Sequence, residues 1–238
     1  MIVRDDLVIG QPSHAWVTSQ IGRAWGNAAH PAAEPFEPMI VAAVQHDVGW
    51  VEADLAPQLN PETGRPRGFL QMPRADHLRI WSASPRWLLT QSRYAALIVS
   101  RHGTSLYDRV VPEPEQAEAI AAHLAEQRAL QAVLSVGLDM EQVARNGALL
   151  RTWDAISLAL CHGVMPAQAG EFSLSAGGAA GAGDGVAVRL DPWPFGRERV
   201  EIACEGRALP GTFTSEAELR EAFAAAPAVA LRWTLVPA

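Results

Sequence analysis

The sequence predicts a mainly α-helical protein carrying a small C-terminal β-rich appendage. Three observations carry that expectation. Apolar residues recur at three- and four-residue spacings through most of the first 165 positions. A low-complexity stretch of Gly, Ala and Ser, from Ser173 to Gly185, then interrupts the pattern and reads as a flexible linker. Beyond it the apolar residues fall in short β-branched runs. The expected division is a helical domain over residues 1–172, followed by a linker and small α+β unit over 173–238.

In the lead-in, Ile2-Val3 and Leu7-Val8-Ile9 read as an extended edge. A first helix is expected behind Pro12, with Ser13 as its cap, His14, Val17, Ile21 and Trp25 along one side, and Gly26-Asn27 as its end. A second starts near Pro35, a favoured first helical residue, and runs to His46-Asp47. Pro57, Pro61, Gly64, Pro66, Gly68 and Pro73 make residues 51–74 a long loop of the kind that often covers a site. A third helix begins near Ala75, with a break expected at Pro85, and a fourth spans Tyr94 to His102. Residues 115–136 form an amphipathic helix. In the next, over 139–163, Val143, Leu150, Asp154, Leu158 and Cys161 follow at spacings of seven, four, four and three. After the linker, 186–190, 200–204 and 229–235 read as strands, and Ser215 with Glu218 caps a short helix.

The 49% hydrophobic and 19% charged content is that of a folded chain with a sizeable core. A net charge of −7 argues against a nucleic-acid partner. All 19 basic residues are Arg, so mechanisms that need a lysine nucleophile, Schiff base or phosphate-loop Lys are excluded. No apolar run reaches the length of a membrane span, and no signal peptide is read. Cys161 and Cys204, far apart in unlike contexts, give no case for a disulfide framework. A cytoplasmic protein acting on a small molecule is expected, with room for a homodimer.

The chemistry concentrates on histidine and aspartate. His46 and Asp47 end an apolar helix, where two polar groups are costly unless something pairs with both. His14, His77, His102 and Asp154 also lie on apolar faces or near helix ends. His30, His123 and His162 read as surface or helix-end residues. Imidazole and carboxylate together suit one or two divalent transition metals, with Fe, Mn or Zn favoured and Mg or Co allowed.

The order His14, His46-Asp47 and a distal Asp154, with His46-Asp-Val-Gly49, resembles the HD-domain superfamily of metal-dependent hydrolases, an all-helical fold. The wider pattern through Trp50 is also similar to a bacterial family of unassigned function within that fold. The resemblance implies a metal held by His14, His46, Asp47 and Asp154, with Asp47 bridging to a second ion completed by His77 and His102. It implies hydrolysis of a small phosphorylated or nucleotide-like compound by metal-activated water, with Asp47 and Arg101 as catalytic residues. Substrate contacts would come from Trp50, Arg79 and Arg101. Trp50 stands where many phosphohydrolases carry Lys, which keeps a mixed-valent di-iron oxygenase and a non-catalytic ligand-binding or interaction module open as alternatives.

Overall fold

The computed structural model describes residues 1–108, 111–177 and 185–238. The lead-in is a hairpin, β1 (Ile2–Arg4) and β2 (Leu7–Ile9), turned by Asp5 at φ 47°. A left-handed residue in a two-residue turn suits the strand twist, and Asp tolerates that conformation. α1 (Gln11–Ala24) follows at once, starting two residues before the expected Ser13 cap and carrying Pro12 in its first turn. The Ser13 hydroxyl instead donates to Glu205 O at 2.6 Å.

α2 (Phe36–Gln45) begins behind Pro35. The segment expected as loop holds a 3-10 turn (Val48–Trp50), α3 (Val51–Leu55), a two-residue hairpin of β3 (Leu59–Asn60) and β4 (Arg65–Pro66), and a second 3-10 turn (Phe69–Gln71). α4 (Arg74–Leu88) continues through the buried Pro85 without the expected break. α5 (Arg93–Ser105) is capped by Ser92, whose Oγ accepts from Ala95 N at 3.1 Å. α6 (Pro114–Leu134) and α7 (Met140–His162) follow. The Asp139 carboxylate caps α7, and Gly163 ends it at φ 68°.

The last third supplies β5 (Ala167–Ala169), β6 (Phe172–Ala176), β7 (Val186–Asp191), β8 (Val200–Ala208), α8 (Glu216–Ala225) and β9 (Ala228–Pro237). These strands and the N-terminal hairpin form one curled seven-stranded sheet, in the order β1-β2-β8-β9-β7-β6-β5. Neighbours are antiparallel except β7 and β9, which run parallel. Of the supposed linker, Ser173 to Ala176 belong to β6, and residues 178–184 lie outside the described residues.

This architecture corrects the expected fold class. The protein is α/β, with 51% helix and 20% strand, and not a mainly α bundle with a β appendage. Leu174, Leu190, Ile202 and Leu235 from the sheet share one apolar core with Val17 and Ile21 of α1 and Leu150 and Trp153 of α7. The sheet therefore forms a wall of the same core that positions the site helices. Local periodicity could not reveal this, because β8 finds β2 across about two hundred residues of chain. The fold also brings Cys161 and Cys204, both free thiols, close to one another. Among the described residues no helix is long and apolar enough to cross a membrane.

Candidate metal centre

His46 is the last residue before α2 gives way to the 3-10 turn, and Asp47 opens that turn by accepting from Trp50 N at 3.0 Å. The chain can turn there because position 49 is Gly. A Cβ at Gly49 would lie 2.3 Å from Ser84 Oγ and 2.7 Å from Ile80 O of α4. Gly49 N donates instead to that Ser84 hydroxyl at 3.1 Å. α1 presents His14 from its first turns, α5 presents His102, and α7 presents Asp154. Gly103, next to His102, lets the Trp81 ring of α4 pack where a Cβ would come within 2.8 Å.

These elements converge on one point. His14 Nε2 lies 2.8 Å from Asp154 Oδ1 and 3.6 Å from Asp47 Oδ2. His46 Nε2 lies 3.3 Å from Asp47 Oδ2 and 3.5 Å from Asp154 Oδ1. His102 Nε2 lies 3.6 Å from Asp154 Oδ2. Ligand atoms of His14, His46 and Asp154 all fall within 4.8 Å of one another.

The far side of each ring sets which nitrogen faces inward. His46 Nδ1 donates to Ala43 O at 2.8 Å, leaving Nε2 toward the carboxylates. The Ser157 hydroxyl donates to His14 O at 2.9 Å, so it accepts from His14 Nδ1 at 2.7 Å. His14 Nε2 thus also points inward. Partners behind a ligand ring usually contribute 10–100-fold to metal affinity. Ser157→Ala is accordingly expected to weaken divalent-metal binding by about 10–100-fold with the fold intact, as read by chelator competition and circular dichroism.

Burying these groups costs several kcal/mol per ion unless they compensate one another. Burial works against charge on His46, but the Asp47 and Asp154 carboxylates outweigh it and hold the imidazole well above its ordinary value. Burial also opposes the ionised Asp154, and the hydrogen bonds and charges of His14 and His46 reverse this, holding its carboxyl well below the usual range. His102 is pushed down to about 4 by burial, with Asp154 only partly opposing it, so it stays neutral at neutral pH.

The cluster forms the floor of a cavity of about 250 Å³. Ten buried side-chain N or O atoms among the described residues lack a hydrogen-bond partner. Six of these belong to residues lining this cavity, namely Gln11, His46, Trp50, Trp81, His102 and Tyr107. Unpaired buried polar groups are rare and call for an explanation such as a bound ion or ligand. The donor set and the inward Nε2 atoms fit a divalent transition metal.

Of the residues singled out from sequence, the structure brings His14, His46, Asp47, His102 and Asp154 together. His77 lines the same cavity, but its Nε2 bonds Phe69 O at 2.6 Å, and burial lowers its basicity. Trp50 is fully buried and lines the cavity, edge-on to His77 at 4.9 Å. Arg79 lies outside, 3.9 Å from Glu52 and 3.7 Å from Asp76 on an exposed face. Arg101 does not line the cavity. His123, expected at the surface, is buried with Nδ1 2.9 Å from Ser82 Oγ, because α4 and α5 both pack on α6.

Sequence reasoning passed over Ser157 and Arg74. Ser157 lies three residues after Asp154 on α7, and Arg74 three residues before His77 on α4, so both share a helix face with a residue already singled out.

The expected membership of the HD-domain superfamily is not upheld. The family that matches is a different one, and a seven-stranded sheet does not fit an all-helical HD domain. No curated protein and no solved structure matches the chain. Residues 1–211 match the family described as "Protein of unknown function (DUF3891)", and the chain belongs to that family.

Proposed function

We propose that the protein is a metal-dependent hydrolase of a small ester or phosphoester. The observation that carries this reading is the convergence of His14, His46 and Asp154 within 4.8 Å, at the floor of a cavity lined by unpaired buried polar atoms. The cavity is smaller than the roughly 300–1,000 Å³ usual for ligand pockets, which favours a compound smaller than a nucleotide.

His14, His46 and Asp154 would hold the ion, with Asp47 alongside. A divalent cation bound there would supply acidified water at neutral pH and a Lewis acid for a substrate oxygen. The chain's own residues do the rest. Ser157 and Ala43 O hold the two ligand rings in one tautomer. Neutral His102 keeps its Nε2 beside Asp154 Oδ2 at the edge of the cluster. Trp50, Phe69 and Trp81 exclude bulk water and strengthen every charge interaction within.

The test is metal content of the purified protein, followed by a broad ester and phosphoester panel after loading with Mn, Fe, Co, Zn or Mg. Near-stoichiometric metal with turnover of a small ester supports the reading, and protein that neither retains metal nor hydrolyses any panel compound sinks it. The raised basicity of His46 adds a pH signature. The Asp47 and Asp154 carboxylates favour the protonated imidazole in the metal-free protein, and a metal must displace that proton. Metal uptake at pH 7 is expected to release about one proton, and affinity to tighten by up to about tenfold per pH unit until the pH passes the raised His46 value. Calorimetry in buffers of different ionisation enthalpy reads both quantities.

A further inference from the structure

The end of the cavity away from the metal cluster carries an unused positive charge. Arg74, His77 and Trp81 all line the cavity from one face of α4, at positions i, i+3 and i+7. At 1.5 Å per residue, Arg74 starts about 10 Å along the helix axis from Trp81, whose ring packs on His102 at 5.6 Å. Elsewhere the cavity wall is largely apolar, with Trp50, Phe69, Leu106 and Leu158 among its lining.

The Arg74 guanidinium is held in place but not neutralised. Its Nε donates to Gln116 Oε1 at 3.2 Å, and its Cζ lies 5.5 Å from the centre of the Tyr107 ring, with the guanidinium beside the Tyr107 hydroxyl. Among the described residues no carboxylate forms an ion pair with it. Arg74 is also the first residue of α4, where a cation opposes the helix dipole. Beside it the Tyr107 hydroxyl is 96% buried by residue, lines the cavity and has no acceptor for its proton. A fork of N–H donors and a buried O–H donor, both lacking an anion, face one small space.

We propose that Arg74 and Tyr107 receive an anionic group of the substrate, a carboxylate or a phosphate, at the end of the cavity remote from the reacting centre. The substrate class is then a small molecule with an apolar body, a hydrolysable bond at one end and a negative charge at the other. Its catalytic meaning rests on the metal-hydrolase reading above, but the anion site itself does not.

The test uses the full chain stripped of metal, so that no anion can bind through an ion. Benzoate, phenylphosphonate and uncharged benzyl alcohol are titrated separately and followed by ligand-observed NMR. At least one of the two anions is expected to bind at least tenfold more tightly than the alcohol, and the preferred one tells carboxylate from phosphate. Arg74→Gln is expected to weaken that anion by about 10–100-fold, the usual value of charge-assisted hydrogen bonds, and to leave the alcohol unchanged. Arg74→Lys is expected to restore part of the loss, and Tyr107→Phe to cost less than Arg74→Gln. Equal binding of charged and uncharged probes, no binding of either anion, or an unchanged anion affinity in folded Arg74→Gln overturns the proposal. Metal content measured separately on wild type and Arg74→Gln is expected to be equal. A wild type that neither retains metal nor hydrolyses any panel compound would overturn the hydrolase reading while leaving the anion result to stand or fall alone.

Discussion

Asp154→Asn is expected to abolish metal retention and hydrolysis while leaving the protein folded. Asp154 Oδ1 is the atom shared by His14 at 2.8 Å and His46 at 3.5 Å, and Oδ2 faces His102 at 3.6 Å. Asn keeps the volume and one acceptor but removes the charge that three imidazoles surround. Loss of one anionic ligand from a four-residue set is expected to exceed the roughly 10–100-fold that supporting residues contribute. Metal content is expected to fall at least tenfold, and turnover with it. His30→Ala serves as the control, because His30 lies against Trp25 and Phe172, away from the cluster. Retained stoichiometric metal in folded Asp154→Asn would remove Asp154 from the site.

Trp153→Ala is expected to be the most damaging single change to stability. Trp153 is fully buried, packs edge-on to Trp25 at 6.0 Å, and fills the space over Gly22, where a Cβ would meet its ring at 2.7 Å. Removing a buried aromatic of this size costs about 3–5 kcal/mol. For a chain of this length that corresponds to a fall of roughly 6–20 °C in Tm. The gap opens between α1 and α7, the helices that carry His14 and Asp154, so metal affinity is expected to drop as well. Thermal unfolding with and without added metal reads the two effects. A Tm within about 2 °C of wild type would show that the α1–α7 contact is held elsewhere.

Much of the candidate cluster is legible in the sequence. A His-Asp pair closing an apolar helix, and single polar residues set in apolar stripes at 14, 102 and 154, are local conflicts that burial makes expensive, and they pointed inward together. His77 carried the same signal, yet the structure spends its Nε2 on the Phe69 carbonyl, a contact made by the loop-like segment whose path no periodicity specifies. His123 misled in the other direction. Its helix looks half solvated, but Ser82 of α4 bonds its ring and Tyr107, just beyond α5, packs on it at 5.5 Å. Arg79 and Arg101 stand nearest the site histidines in sequence. Arg74 enters the cavity because it opens α4 on the face that His77 and Trp81 share, while Arg79 lies on the exposed face of the same helix.

The fold class was the larger error, and it has a definite cause. Helices announce themselves within a dozen residues, because their hydrogen bonds and apolar stripe are local. The sheet does not. Strands β1 and β2 are three residues each, and β8, the partner of β2, lies across most of the chain, so the pairing that makes one sheet of both ends leaves no trace in either end alone. Sequence was sufficient for most of the long helices, for the cap at Ser215, and for the polar residues that the core must hold. Tertiary packing was needed to close the seven-stranded wall, to turn two Nε2 atoms inward through Ala43 and Ser157, and to leave Arg74 and Tyr107 facing the same cavity without a counter-ion.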